Sequence, residues 1–133
     1  MANNSKGRIV LISFDNFITQ EGIPIYLQII KHIKSGIVSG TVKNGDEVPS
    51  RRVLSALLGV NPNTIQKAYK MLEDAGLMES RSGAKSYMRF DESDVSIVRR
   101  QLLESDATAI IGSLKQMGLS KDEALALIEK YWE

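Results

Sequence analysis

Over residues 24–40 the apolar positions recur at helical spacing. Ile25, Ile29, Ile30, Ile33 and Ile37 fall on one face. Pro24 suits the first position of that helix, where a missing N–H costs nothing, and Gly40 marks its end. After a Gly45-Asp46 turn, Val53, Leu54, Leu57 and Leu58 predict a second helix with a buried stripe, capped by Ser50 and ended by Gly59. Asn61 then caps a third helix with Pro62 at its first position. Ile65, Ala68, Tyr69 and Leu72 form its inward face and Gly76 closes it. The pattern turns to strands at residues 77–80 and 86–90, around a tip that carries Arg81, Gly83 and Lys85.

The ends of the chain read differently. Residues 1–7 are polar, and residues 9–14 are apolar and partly β-branched, which predicts a short strand or extended arm without a hairpin partner beside it. Past Asp91, helical patterns recur at about 93–104, 106–117 and 121–132. Gly118 separates the last two, and Ser120 with Glu123 makes a capping box for the third. Ile110, Ile111, Leu114 and Met117 make one stripe; Leu125, Leu127, Ile128, Tyr131 and Trp132 make another. A tail this short cannot bury such stripes alone, so it is expected to pack on the first part, on a second copy, or on both. The order of parts is a mainly α (α+β) fold. Residues 1–90 form a winged helix-turn-helix with an extended arm. Residues 91–133 form a short helical region.

Composition narrows the chemistry. There is no cysteine and only one histidine, His32, which reads as a surface or partly packed residue. A zinc or iron site normally needs two or more such ligands, so neither a metal nor another cofactor is expected. No apolar run is long enough for a bilayer span or a secretory signal, which predicts a cytoplasmic protein without a membrane partner. The net charge of +1 is unevenly spread. Residues 24–90 carry ten basic and five acidic side chains, and residues 91–133 carry five basic and nine acidic ones. Two surfaces with different partners follow from that asymmetry.

With Ile65, Ala68 and Leu72 inward, the third helix presents Asn63, Gln66, Lys67 and Lys70 on one outer stripe. Asn and Gln can pair with an adenine edge, and Lys reaches guanine or phosphate. Thr64 and Asn61 suit phosphate oxygens or a thymine methyl. Any surface helix shows a polar face. This one gains meaning from its setting between Arg51-Arg52, at a helix start where N–H groups favour phosphate, and a tip whose Arg81 and Lys85 flank Gly83. Double-stranded DNA is the partner this arrangement suits.

The stretch resembles the DNA-binding domain of the GntR family of bacterial regulators. The resemblance rests on Val48-Pro49-Ser50-Arg51-Arg52, on Leu58-Gly59-Val60-Asn61-Pro62-Asn63-Thr64-Ile65-Gln66-Lys67-Ala68-Tyr69, and on Leu72-Glu73-Asp74-Ala75-Gly76-Leu77. The Val-Asn-Pro-Asn-Thr version and the short tail resemble the YtrA subfamily. The resemblance implies phosphate and base contacts at Arg52, Asn61, Asn63, Thr64, Gln66 and Gly83. It also implies that residues 91–133 are a short helical dimerisation region of a homodimer, with Leu102, Ile110, Leu114 and Leu125 among its contacts, and a repressor of the kind often linked to transporter operons. Three positions depart from the family pattern: Arg51 stands where Glu is usual, Pro62 where Arg is common, and the wing lacks its second glycine.

These readings lead to a homodimeric, sequence-specific repressor on a pseudo-palindromic operator, with half-sites about 10 bp or a multiple apart. The rival is a winged helix used for protein interaction without sequence-specific DNA binding. An enzyme fits poorly, because no nucleophile–base pair, phosphate loop or paired carboxylates stand out. Asp91, Glu92 and Asp94 read as a solvated helix start rather than a cation site. No effector ligand is legible in the sequence.

Overall fold

A computed structural model describes residues 10–81 and 85–133. The chain divides into two compact units, Met1–Arg99 and Arg100–Glu133.

In the first unit, α1 (Ile25–Ser39) buries Ile29, Ile30, Ile33 and Ile37, the face its periodicity predicts. Its start differs by one residue. Pro24 is the N-cap with extended backbone (ψ 136°), and its carbonyl accepts from the N–H groups of Leu27 and Gln28. The Gln28 amide fastens the preceding loop by donating to the carbonyls of Gln20 and Ile23 and accepting the Gln20 N–H. Gly36 lies on the buried face, where a Cβ would run into the Val42 side chain. Only a hydrogen fits there.

β1 (Glu47–Val48) leads into α2 (Arg51–Leu58), and α3 (Pro62–Asp74) follows across the turn. Ser50 caps α2 by accepting from the Val53 N–H at 3.1 Å, and Asn61 caps α3 by accepting from the Asn63 N–H at 2.7 Å. Gly59 takes the left-handed conformation (φ 70°) that the turn between them requires. The expected stripe on α2 is narrower than its sequence suggests. Leu54 is fully buried and Leu58 half-buried, but Val53 and Leu57 are 53% and 60% exposed. The helix has only eight residues and packs along α3, so one line of side chains meets the core. On α3 all four predicted residues, Ile65, Ala68, Tyr69 and Leu72, are buried.

β2 (Met78–Arg81) and β3 (Lys85–Met88) complete an antiparallel sheet of order β1-β3-β2. Each strand reaches one residue further towards the tip than predicted and stops short at its other end, so Arg81 and Lys85, expected in the tip, pair directly across the strands. The N-terminal arm finds its partner within the unit. Leu11 bridges Glu47 in parallel, through Ile12 N–H to the Glu47 carbonyl and Glu47 N–H to the Val10 carbonyl, both 2.9 Å. Phe14 is buried against the His32 ring, with centroids 4.5 Å apart. His32 Nε2 lies 2.9 Å from the Ser13 carbonyl; a carbonyl only accepts, so this nitrogen carries the hydrogen. Ile9, the first residue of the predicted arm, lies outside the described residues.

α4 (Glu92–Gln116) is one helix, not the two predicted around residue 105. Ser105 and Asp106 are poor but tolerable helix residues, and neither removes a backbone donor as proline would. Asp91 and Asp94 cap its start reciprocally. The Asp91 carboxylate accepts the Asp94 N–H, and the Asp94 carboxylate accepts the Asp91 N–H. The Ser93 hydroxyl and then the Asp94 N–H hold the Asp91 carboxyl below its ordinary pKa. In the second unit, α5 (Lys121–Lys130) starts at the predicted capping box of Ser120 and Glu123. Ile110, Ile111, Met117, Leu125, Tyr131 and Trp132 are all exposed there, Trp132 at 81%. Among the described residues no helix is long and apolar enough to cross a membrane.

Candidate nucleic-acid interface

The interface is set by what holds α2 and α3 at a fixed angle. Tyr69, on the buried side of α3, donates its hydroxyl to the Pro49 carbonyl at 2.7 Å. That bond pins the chain immediately before the Ser50 cap. A second bond closes the turn from inside: the Ser55 hydroxyl donates to the Val60 carbonyl at 2.5 Å. With both ends of α2 tied, its first residues and the outer face of α3 form one exposed surface. Arg51, Arg52, Asn61, Asn63, Gln66, Lys67 and Lys70 are exposed on it, and Thr64 is half-buried.

The predicted cations are not all equivalent. Arg51 donates to the Gln66 side-chain oxygen, joining the start of α2 to the middle of α3. Lys67 does not stand in line with Gln66 and Lys70, because its ammonium lies over the Tyr26 ring of α1, 4.1 Å from the centroid. Lys70 pairs with Asp74 at 2.8 Å, one turn on, and that carboxylate raises the Lys70 pKa. The pair is exposed on both sides, so water and salt screen it and Lys70 remains free to exchange partners. The Arg52 side chain is exposed at the second position of α2.

At the wing, two like charges face each other across the strands at Arg81 and Lys85. Each has a carboxylate to offset the repulsion: Glu79 is 3.1 Å from Arg81, and Glu47 is 4.0 Å from Lys85. The Arg81 guanidinium also stacks over Tyr87 at 4.2 Å. Gly83, named as a contact from the sequence, lies outside the described residues.

Between α2, α3 and the wing lies a cleft of about 140 Å³, lined by Ser50, Arg51, Gln66, Glu73 and Ser80 among others. The Ser80 hydroxyl donates to the Glu73 carboxylate at 2.5 Å, tying the wing to α3. Sequence reasoning missed Tyr26, Glu47, Glu73, Glu79 and the Tyr69–Pro49 bond. These act through neighbours distant in sequence, and only the alternation of charge around the wing hints at them.

The chain is similar to known proteins in sequence and in fold. Residues 25–87 match the model of the bacterial regulatory proteins of the gntR family. The chain is 32% identical over 114 residues to YhcF of Bacillus subtilis, an uncharacterised HTH-type transcriptional regulator, covering 86% of this chain and 94% of that protein. It is 36% identical over 110 residues to the HTH-type transcriptional repressor YtrA of the same bacterium, covering 83% and 80%. Among solved structures, a GntR family transcriptional regulator from Listeria monocytogenes has a TM-score of 0.71 at 30% identity, covering 84% of this chain and 98% of that one. YtrA from Sulfolobus acidocaldarius, a GntR-family transcription factor, has a TM-score of 0.52 at 30% identity, covering 90% and 94%.

Proposed function

The chain belongs to the YtrA subfamily of the GntR family of bacterial transcriptional regulators, and from that premise we propose that it is a homodimeric repressor reading a pseudo-palindromic operator. Its family acts through a DNA-binding helix-turn-helix and not through catalysis. The observation that carries the reading is the outer face of α3, where Asn63, Gln66 and Lys70 are exposed beside Arg51, Arg52 and the wing cations. In this reading α3 enters the major groove. Asn63 and Gln66 meet base edges; Arg51, Arg52, Asn61, Thr64 and Lys70 meet bases or phosphates. Lys67 joins them by leaving Tyr26. Arg81, Gly83 and Lys85 of the wing approach the adjacent minor groove.

The dimer rests on the second unit. Ile110, Leu125 and Trp132 are large apolar side chains in contact with water, and Leu114 is only half-covered. A second copy would cover them, with Leu102 extending the contact along α4. The repressor role follows the relative named as one.

The test is fluorescence anisotropy with a labelled duplex from upstream of the protein's own gene, with excess unrelated DNA and at two salt concentrations. Binding that survives competitor supports an operator-reading regulator. Binding lost to competitor leaves only sequence-independent phosphate attraction. No binding at all means either a missing effector or the protein-interaction rival, which a partner pull-down then tests. In parallel, Ile110→Glu with Leu114→Glu in the full chain is expected to halve the mass measured by light scattering; an unchanged dimer overturns the assignment of its contacts.

A further inference from the structure

We propose that Arg51 is a positioning residue that sets which base Gln66 prefers, turning it from adenine towards guanine. The inference rests on the reading above, in which Gln66 faces a base edge. Arg51 donates to the Gln66 side-chain oxygen across the junction of α2 and α3. A guanidinium carries N–H donors and no acceptor, so Gln66 can face it only with Oε1. Nε2 is the other arm of the same planar amide, and it points away from Arg51. A free glutamine pairs with adenine by accepting from N6–H and donating to N7, which uses both arms. Here the oxygen is turned to Arg51, and the arm left for DNA has two donors. The complementary edge is one built of acceptors, O6 and N7 of guanine.

The argument has an inverse. A carboxylate at position 51, the residue usual among the relatives this stretch resembles, only accepts. It would draw Nε2 inward and leave Oε1 facing out. The preferred edge would then carry a donor, N6–H of adenine or N4–H of cytosine. Position 51 therefore acts on base choice through the orientation of one amide, without itself touching the base. Its backbone is well placed for that role, since Ser50 caps the helix at the preceding residue.

The experiment selects bound duplexes from a library randomised across the half-site, with full-length wild type, Q66A, R51K and R51E, and sequences them. Preferences are ratios within one variant, so a uniform loss of affinity from the charge change drops out. Q66A identifies the base pair that Gln66 reads. At that pair wild type is expected to favour guanine, R51K to keep guanine because lysine is also donor-only, and R51E to shift towards adenine or cytosine by about tenfold. Three results overturn the inference: R51E lowering affinity with the wild-type profile intact, R51K behaving as R51E, or Q66A leaving every position unchanged. A wild-type protein with no sequence preference removes the operator reading itself, which is a different failure from any of these.

Discussion

Replacing Tyr69 with Phe removes one oxygen and tests what holds the two helices of the interface together. Tyr69 is 6% exposed, and its hydroxyl donates to the Pro49 carbonyl at 2.7 Å. Pro49 is itself buried, so the variant leaves a buried acceptor without its donor. The loss is about 1–2 kcal/mol, within the range for an unsatisfied buried polar group. In a domain of this size that lowers the melting temperature by roughly 4–8 °C per kcal/mol. The same hydroxyl gives the test a second axis. Burial raises the phenol pKa above its ordinary 10.0. A raised folded pKa contributes stability that is fully present below pH 10. That stability is lost as pH rises, because the unfolded chain releases its proton first. At pH 11 the wild type should have lost about 1.4 kcal/mol through this group, and Tyr69→Phe none. Urea unfolding of both proteins at pH 7, 9 and 11 should show a gap that is largest at neutral pH and nearly closed at pH 11. Groups shared by both proteins cancel in the difference. A gap under about 0.5 kcal/mol at pH 7, or one that does not change with pH, would refute the buried donor and the anchor built on it.

Gly36→Ala should destabilise the first unit by about 1–2 kcal/mol in urea melts, because the added methyl meets Val42 and the clash outweighs the usual helix gain of alanine. Equal or greater stability would mean that Val42 gives way freely. Ser50→Ala removes the cap of α2 and should cost about 1 kcal/mol, with faster amide exchange confined to the first turn if the helix frays locally. Arg52→Ala is expected to weaken binding to all duplexes alike and to reduce the salt slope by about one; a changed base preference would instead make it a reading residue. The Ser120 hydrogen bonds depress the Glu123 carboxyl pKa. A depressed pKa means that this cap contributes above the ordinary carboxylate range and is lost as pH falls through the lowered value, so α5 should fray first in an acid titration followed by amide resonances.

The elements of the interface were legible because they are written locally. Ser50, Gly59, Asn61 and Pro62 specify where α2 begins and ends and where α3 begins through bonds spanning a few residues, and Ile65, Ala68, Tyr69 and Leu72 lie where helical spacing puts them. The width of a buried face is not local. Val53 and Leu57 have the spacing of a core stripe, yet they are exposed because α2 packs mainly along α3 and turns one line of side chains to the core. The same limit applies at residue 105, where two helical patterns meet in the sequence and the backbone continues as one helix.

The chemistry of the site divides along that line. Sequence by itself determined which residue types stand on the outer face of α3 and at the wing, since a period of 3.6 fixes the face once the core residues are known. Only the tertiary structure decided their states. Lys67 rests over Tyr26, 41 positions earlier in the numbering, and Arg51 meets Gln66 across a turn. The Arg81–Lys85 pair is balanced by Glu79 and by Glu47 from another strand. Those pairings depend on how helices and strands pack in space. Chain distance carries no signal of them, whereas caps and turns are settled by residues within reach of one another along the chain.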